Sequence, residues 1–465
     1  MINSRSPFFA RYRWKELGLL IIPFLILMVG MIQLLLVQNN VDTRSTFNAK
    51  YLPPVQALIP IFGFVGVLLI ANLVMSIRFR KADQVLLPLS GLLTGIGVLM
   101  ATRLGPDLTP ANPNLGSRQL LFAFVSVAVC LLTIFFLRDT SILSRYKYTW
   151  AIASLAFMIP SFISGILTFH STDTAPTHDQ ISLGLVTLQP SEFLKITIVI
   201  FFAGYLSENR EILSQGYLSL GKLRLPPLRQ LGPMVLMLLV ALMFFLVVRE
   251  LGIALLIYGL FLCLTYLGSG KKRYVLAYLG IFILFGLIGY SLLNYVKLRF
   301  VTLSIDVVNW PAGSDQLYYQ SGLQVVQGLI ALASGGILGA GLGQGHPWLV
   351  PVASTDMVWS ALGEELGLAG MMAIIGIYLF IIYRGFRIAI EASDPFNQLL
   401  AAGLTSIFAI QTLLIAAGNM KFIPLTGMPL PFLSAGGSSL FTNFIIIGIL
   451  LRISYNNALE REGLA

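Results

Sequence analysis

The sequence predicts an all-α, polytopic integral membrane protein with about twelve transmembrane helices. Three observations carry that prediction. Hydrophobic residues fill 57% of the 465 positions, charged residues only 11%, and the mean hydropathy is +0.84. Apolar stretches of about 17 to 25 residues recur along the chain, each long enough to cross a hydrocarbon core at about 1.5 Å per residue. About 21 of the 30 Lys and Arg residues lie in the N-terminal tail, in every second loop and in the C-terminal tail. That asymmetry is the positive-inside pattern, so both termini are expected in the cytoplasm. It also explains the net charge of +10 without nucleic acid.

Taken in order, the expected spans are 17–37, 57–77, 84–102, 119–137, 147–167, 191–207, 232–248, 251–268, 275–296, 357–383, 398–418 and 434–451. The first follows a basic, polar tail and lacks a small-residue cleavage site, which marks a retained helix and not a signal peptide. Basic groups sit where the loops should face inward: Arg78, Arg80 and Lys81; Arg138, Arg145 and Lys147; Lys271, Lys272 and Arg273. The 208–231 loop is too short for a domain and has no phosphate-binding Gly-rich motif, so ATP-driven work is not indicated. Cys130 and Cys263 each fall inside an apolar span and read as small buried hydrophobes.

Punctuation and unusual polar groups collect in the external connections, 38–56, 103–118, 168–190, 297–356 and 419–433. Within the long 297–356 loop, Gln316, Gln320, Gln324 and Gln327 follow steps of four, four and three, which aligns them on one face of an amphipathic helix. The following "SGGILGAGLGQGHPW" reads as a loop of sharp turns and close backbone approach. His170, His178 and His346 have no ligand spacing and read as surface residues.

Four polar clusters thread to the same membrane face. In "LQPSEFLKI", Pro190 suits a helix start, and Glu192 and Lys195 are three apart, hence neighbours on one face. "VVRELGIAL" sets Arg249 and Glu250 in a tight turn between spans. "STDMVWSALGEELGLAG" brings Asp356, Glu364 and Glu365 to the mouth of a span, where carboxylates are costly. On a continuous helix Glu364 would stand about 12 Å along the axis from Asp356, and Glu365 would face the opposite way, so these carboxylates cannot share one task. "KFIPLTGMPLPFLSAGGSSL" carries Lys421, prolines and glycines that forbid a plain helix, and the hydroxyls of Ser434, Ser438 and Ser439. Each cluster also has a structural reading: mutual neutralisation for Glu192 and Lys195, an interfacial turn for Arg249 and Glu250, and helix capping for Asp356 and Ser438. Jointly they suggest side chains from separate helices ringing one external cavity.

At these residues the chain resembles the SEDS family (shape, elongation, division and sporulation), which includes RodA, FtsW and SpoVE. "QPSEFLK", "STDMVWSALGEELGLAG" and "PLTGMPLPFLSAGGSSL" match three of its segments in the right order. The resemblance covers roughly 84–455 as a ten-helix glycosyltransferase core with the 297–356 loop inside it, and it leaves 1–80 as two additional N-terminal helices. There are departures: where the family commonly has Asp-Leu-Gly-Thr, this chain has Glu250-Leu251-Gly252-Ile253.

The resemblance implies a peptidoglycan glycan-strand polymerase of the bacterial cytoplasmic membrane, working at its external face on lipid II and an undecaprenyl-linked glycan. Asp356 aligns with the family's essential aspartate and would be the general base. Glu192, Lys195, Arg249, Glu250, Glu364, Lys421, Ser434 and Ser438 would bind substrate. A divalent cation (Mg or Mn) held by spare carboxylates is the one cofactor expected, with no metal ligands identified. Membrane lipids and a monofunctional class B penicillin-binding protein, a transpeptidase, are the implied partners, and nucleic acid is not. The competing readings are a lipid II flippase, which needs ionisable groups near the bilayer midplane, and a scaffold that only recruits the transpeptidase.

Overall fold

The computed structural model describes residues 12–38, 55–108, 111–167, 181–182, 187–210, 218–220, 223–225, 247–248, 250–292, 294–305, 307 and 316–463. Along the chain the helices are α1 (Trp14–Gln38), α2 (Val55–Arg78), α3 (Leu86–Leu104), α4 (Leu115–Phe136), α5 (Ser141–Arg145), α6 (Lys147–Leu167), α7 (Pro190–Glu208), α8 (Leu251–Ser269), α9 (Lys272–Leu292), α10 (Asn294–Ser304), α11 (Gln316–Gly335), α12 (Val358–Glu391), α13 (Pro395–Asn419) and α14 (Gly437–Arg461). Two short antiparallel β pairs, Ile181–Ser182 with Thr187–Leu188 and Leu218–Leu220 with Leu223–Leu225, are the strands among the described residues. Ten helices among the described residues are long and apolar enough to cross a membrane. The 21-residue α6 covers a further expected span. The expected span 232–248 lies outside the described residues except for 247–248.

The structure divides into two compact units. The first holds the described residues of Met1–Arg138, Gln327–Arg384 and Pro429–Ala465; the second holds those of Asp139–Val326 and Gly385–Met428. Each unit follows from the sequence in its own way.

In the first unit, α14 packs along α4, and α3 packs against both α4 and α1. Contact of α1 with α3 is possible because Gly95 leaves room for Leu27, whose methyl would stand 2.3 Å from any added Cβ. Small residues permit this kind of close helix approach in membranes. The two N-terminal helices are therefore built into the first unit and do not form a separate domain. A buried polar clasp fixes them. Arg13 pairs with Glu16 three residues on and donates to the carbonyls of Phe79 and Asp83. Asp83 accepts from the amides of Val85 and Leu86 at the start of α3 and pairs with Arg384. α12 and α14 run 8 and 10 residues beyond the expected ends at 383 and 451, where Arg384 and Ser454 meet Asp83.

In the second unit α7 is central: α6, α8 and α13 all pack on it. Apart from Lys195 and Thr197, the "FLKITIVIFFAGYL" sequence is largely apolar round the helix and is buried almost throughout, as expected of a helix enclosed by others. By contrast α9 is exposed along most of its length, with Leu276, Ile283, Leu284 and Leu287 on its open face. Lipid is the solvent such a face requires.

Candidate active site

The sequence expects 357–383 to be one continuous helix, and here the structure differs. α12 breaks at Gly367, whose φ of 65° and ψ of −172° interrupt it between a short buried segment from Val358 and the long span that follows. A break leaves carbonyls before it and amides after it without helical partners, which is costly away from water. The Gly-rich loop supplies them. The amides of Ala340 and Gly341 donate to the carbonyls of Glu364 and Glu365 at 2.9 and 3.0 Å, and the amides of Leu368 and Ala369 donate to the carbonyls of Gly336 and Ile337 at 3.0 Å each. This pairing needs bare backbone on both sides: a Cβ on Gly339 would lie 2.2 Å from the Glu365 carbonyl, and one on Gly367 would lie 2.2 Å from the Gly339 nitrogen.

The two glutamates hold the same loop by their side chains. Glu364 accepts from the His346 amide at 2.8 Å. Glu365 is buried and pairs with Arg103 at 3.1 Å. Arg103, at the end of α3, also donates to the carbonyls of Gly343 and Gly345, pairs with Asp107 at 2.6 Å and lies over the Trp348 ring. Sequence reasoning assigned Arg103 to an external connection and missed it. The available signal was a cation two residues after the apolar run that ends at Ala101. Next to this pair lies a groove of about 590 Å³, lined by Leu25, Val29, Leu99, Met100, Leu362 and Glu365.

Asp356 stands outside the helix, half-buried in a run of turns over 351–357, so the expected helical geometry between it and Glu364 does not apply. Its carboxylate is not at the N-cap position of a helix that begins at Val358. Instead the turn is gripped from the "PLPFLSAGG" segment. Ser434 Oγ donates to the Thr355 carbonyl at 2.6 Å and accepts from the Leu430 amide at 2.7 Å, while the Ala435 amide donates to the Ser354 carbonyl at 2.8 Å. The gripping segment is itself tightly held. Phe432 adopts a φ of +66°, its ring packs edge-on against Phe444, and Tyr378 donates to the Pro431 carbonyl. Such a conformation persists only where the surroundings over-determine it. Ser434 is thus engaged as a brace, and Ser438 is buried in the first turn of α14.

In the second unit Glu192 and Lys195 meet as the spacing predicts, at 2.6 Å on the first turn of α7, with side chains 5% and 2% exposed. Gln411 of α13 accepts from the same ammonium at 3.1 Å. Sequence reasoning missed Gln411, because a neutral amide in an apolar span carries no charge to draw notice. Glu250 is buried at the N-cap of α8, but its side chain does not cap the helix. Beside it, Gly252 lies so close to the 424–428 segment that a Cβ would stand 2.5 Å from the Thr426 carbonyl. Arg299 holds that segment through the Leu425 carbonyl at 2.8 Å, and Lys421, at a φ of +63°, donates to the Ile305 carbonyl. Arg249 lies outside the described residues, as do His170 and His178. Cys130 and Cys263 are both free thiols. Among the described residues no three His, Cys, Asp or Glu side chains gather as a metal-binding group.

Fold and site together define a multi-pass membrane protein with a braced acidic turn in one unit and a buried, hydrogen-bonded ion pair in the other. The chain belongs to the FtsW/RodA/SpoVE family of cell cycle proteins, whose profile matches residues 83–459. That match begins after α2, so the two N-terminal helices stand outside it. Among relatives, the peptidoglycan glycosyltransferase RodA of Mycobacterium tuberculosis (strain ATCC 25618 / H37Rv) is 37% identical over 380 residues, 80% of this chain and 78% of that protein. Stage V sporulation protein E of Bacillus subtilis (strain 168) is 28% identical over 389 residues, 82% and 99% of the two chains. Two solved structures share the fold. One, described as structural coordination of polymerization and crosslinking by a peptidoglycan synthase complex, superposes with a TM-score of 0.59 at 20% identity, covering 81% of this chain and 98% of its own. The other, the rod shape determining protein RodA of Thermus thermophilus, gives 0.52 at 19% identity, covering 81% and 97%. The protein is a multi-pass bacterial membrane protein.

Proposed function

We propose that the protein polymerises peptidoglycan glycan strands, transferring the growing lipid-linked glycan to lipid II and releasing undecaprenyl pyrophosphate. Asp356 takes the proton from the acceptor sugar's hydroxyl as that oxygen attacks the donor's anomeric carbon. The new bond is the glycosidic C–O bond. The bond that breaks is the anomeric C–O bond to pyrophosphate, whose electron pair leaves with the lipid. Attack and departure on opposite faces invert the sugar without a covalent enzyme intermediate.

The observation that carries this reading is the brace on the Asp356 turn, whose two preceding carbonyls are both held by the 434–435 segment. A general base must be fixed to within a fraction of an ångström, since about 1 Å of misplacement can cost on the order of a hundredfold in rate. Lys195, held by Glu192, stabilises charge developing on the pyrophosphate. Glu192 orients it. Arg249, Glu250, Lys421 and Ser438 complete the substrate contacts, and Glu364 shapes the site by holding the His346 amide. A divalent cation would supply further charge neutralisation at pyrophosphate, but the described carboxylates form no cage for one, and no step here runs through it.

On this reading the active face lies outside the cytoplasm, and the positive-inside charge pattern supports both termini inside. A class B penicillin-binding protein, crosslinking the new strands, is the partner we infer; the synthase complex that shares this fold is described as coordinating polymerization with crosslinking. The test is polymerisation of purified lipid II by the detergent-solubilised protein. Asp356→Asn should abolish polymer while the melting transition stays within a few degrees of wild type. Full activity of that variant refutes the assignment, and lipid translocation without polymer by the wild type would mark a transporter instead.

A further inference from the structure

We propose that Gln119 is a positioning residue for Asp356, acting through the 434–436 backbone; this rests on the reading of Asp356 as general base. Gln119 sits one turn into α4, 2% exposed. Its Nε2 donates to the Ser434 carbonyl and its Oε1 accepts from the Gly436 amide, each at 3.2 Å. One carboxamide therefore spans two residues of irregular backbone as a neighbouring strand would, satisfying a donor and an acceptor that have no helix or sheet partner.

What lies between those two bonds gives the contact its consequence. Ser434 and Ala435 are the residues whose hydroxyl and amide hold the carbonyls of Thr355 and Ser354. Motion of the 434–436 segment is thus transmitted across two hydrogen bonds to the peptide immediately before Asp356. The contacts at Pro431 and Phe432 act upstream of Ser434. Downstream, Gly436 is the N-cap of α14 and has no side chain of its own to anchor it. Its carbonyl takes the Leu440 amide of α14 at 3.1 Å, and Gln119 holds its amide.

A glutamine suits this task where its isosteres do not. Glu presents an acceptor to the Ser434 carbonyl, and Met keeps the stem while making neither bond. The substitutions should misplace the base without touching the substrate-binding side chains, so kcat should fall and KM should not.

The experiment compares wild type with Gln119→Glu, Gln119→Met, Ser434→Ala and the Gln119→Glu/Ser434→Ala double variant, all as purified full-length protein with lipid II as substrate. Asp356→Asn serves as the reference. We expect kcat to drop about 10- to 100-fold in Gln119→Glu with KM within about threefold of wild type. The double variant should lose little more than the worse single variant, because both changes release the same segment. Should Gln119→Glu fail to fold, Gln119→Met carries the same test. Wild-type kcat in the folded Gln119 variants beside an inactive Asp356→Asn overturns this proposal and leaves the general base standing. A multiplicative double variant, or a kcat loss that tracks a fall in melting temperature, also overturns it by reducing Gln119 to a packing residue. An active Asp356→Asn removes the base and this inference with it.

Discussion

Replacing Lys195 separates two accounts of the buried pair on α7. At 2.6 Å the two charges attract by about 6 kcal/mol with an effective dielectric of about 20, and desolvation of both ions opposes that gain. The net worth of the pair is therefore small, but the loss of one partner is not. Lys195→Met leaves the Glu192 carboxylate buried and Gln411 Oε1 without the ammonium, and should cost about 3–5 kcal/mol. The double variant Glu192→Leu/Lys195→Met removes both charges and should recover most of that stability. If the pair serves only to neutralise charge during membrane insertion, the double variant will also polymerise lipid II normally. If Lys195 stabilises the departing pyrophosphate, the double variant will be stable and inactive. Thermal unfolding in detergent and a gel assay of glycan length, run on the same preparations, give the two readouts. A double variant that is both stable and fully active would refute the catalytic role; one no more stable than Lys195→Met would refute the energetics.

Three further outcomes are expected. Glu250→Asp should retain polymerisation within about tenfold and Glu250→Gln should lose it, because the buried carboxylate does not cap α8 and is read as a substrate contact; equal activity of both variants would show that charge at this position is irrelevant. Gly367→Ala should unfold the 335–345 loop or prevent accumulation of the protein, since its backbone geometry alone costs about 1–3 kcal/mol for a residue with a Cβ and that Cβ would also strike the Gly339 nitrogen; wild-type yield and melting would contradict the paired-backbone account. Chelation should leave the melting temperature unchanged, because no three-ligand group occurs among the described residues; a downward shift would reveal a resident ion, whereas loss of polymer at constant melting would assign the ion to the substrate's pyrophosphate.

What could be read in the sequence was what depends on local spacing. Apolar length fixed most helices, and an i, i+3 step was enough to put Glu192 and Lys195 in contact. The polar signature around Ser434 was visible as a departure from helix, because prolines and glycines constrain the backbone wherever they occur. The break at Gly367 was not visible. A single glycine within an apolar run costs only about 1 kcal/mol in a helix and reads as tolerated, so what favours the break is the pairing of 364–365 and 368–369 with a loop some 30 residues upstream. That pairing is a tertiary fact. Gln119 and Gln411 were missed for a related reason: an amide's value lies in which backbone or ammonium group it meets, and composition carries no trace of the partner. Arg103 was assigned to a loop because the expected span ended at 102, while the helix continues to Leu104 and carries the guanidinium inside.

The break also gives the three closely spaced carboxylates different structural surroundings. On a continuous helix Asp356, Glu364 and Glu365 would have formed a single acidic rim at the mouth of the span. With the helix starting at Val358 and interrupted at Gly367, the intervening segment becomes a short buried cylinder that needs partners at its C-terminal end. Glu364 and Glu365 meet that need twice, through carbonyls that take the Gly-rich loop's amides and through side chains that hold His346 and Arg103. Their carboxyl groups are tied to loop architecture. Asp356 lies before that cylinder, in a turn whose shape is imposed by a different segment, 430–436. Substitution of Glu364 or Glu365 should therefore register first as lost stability, and substitution of Asp356 as lost chemistry in a stable protein. If Glu365→Gln, which keeps an acceptor for Arg103, were to fold normally and yet fail to polymerise lipid II, this division would be wrong and Glu365 would belong with Asp356 in the reaction.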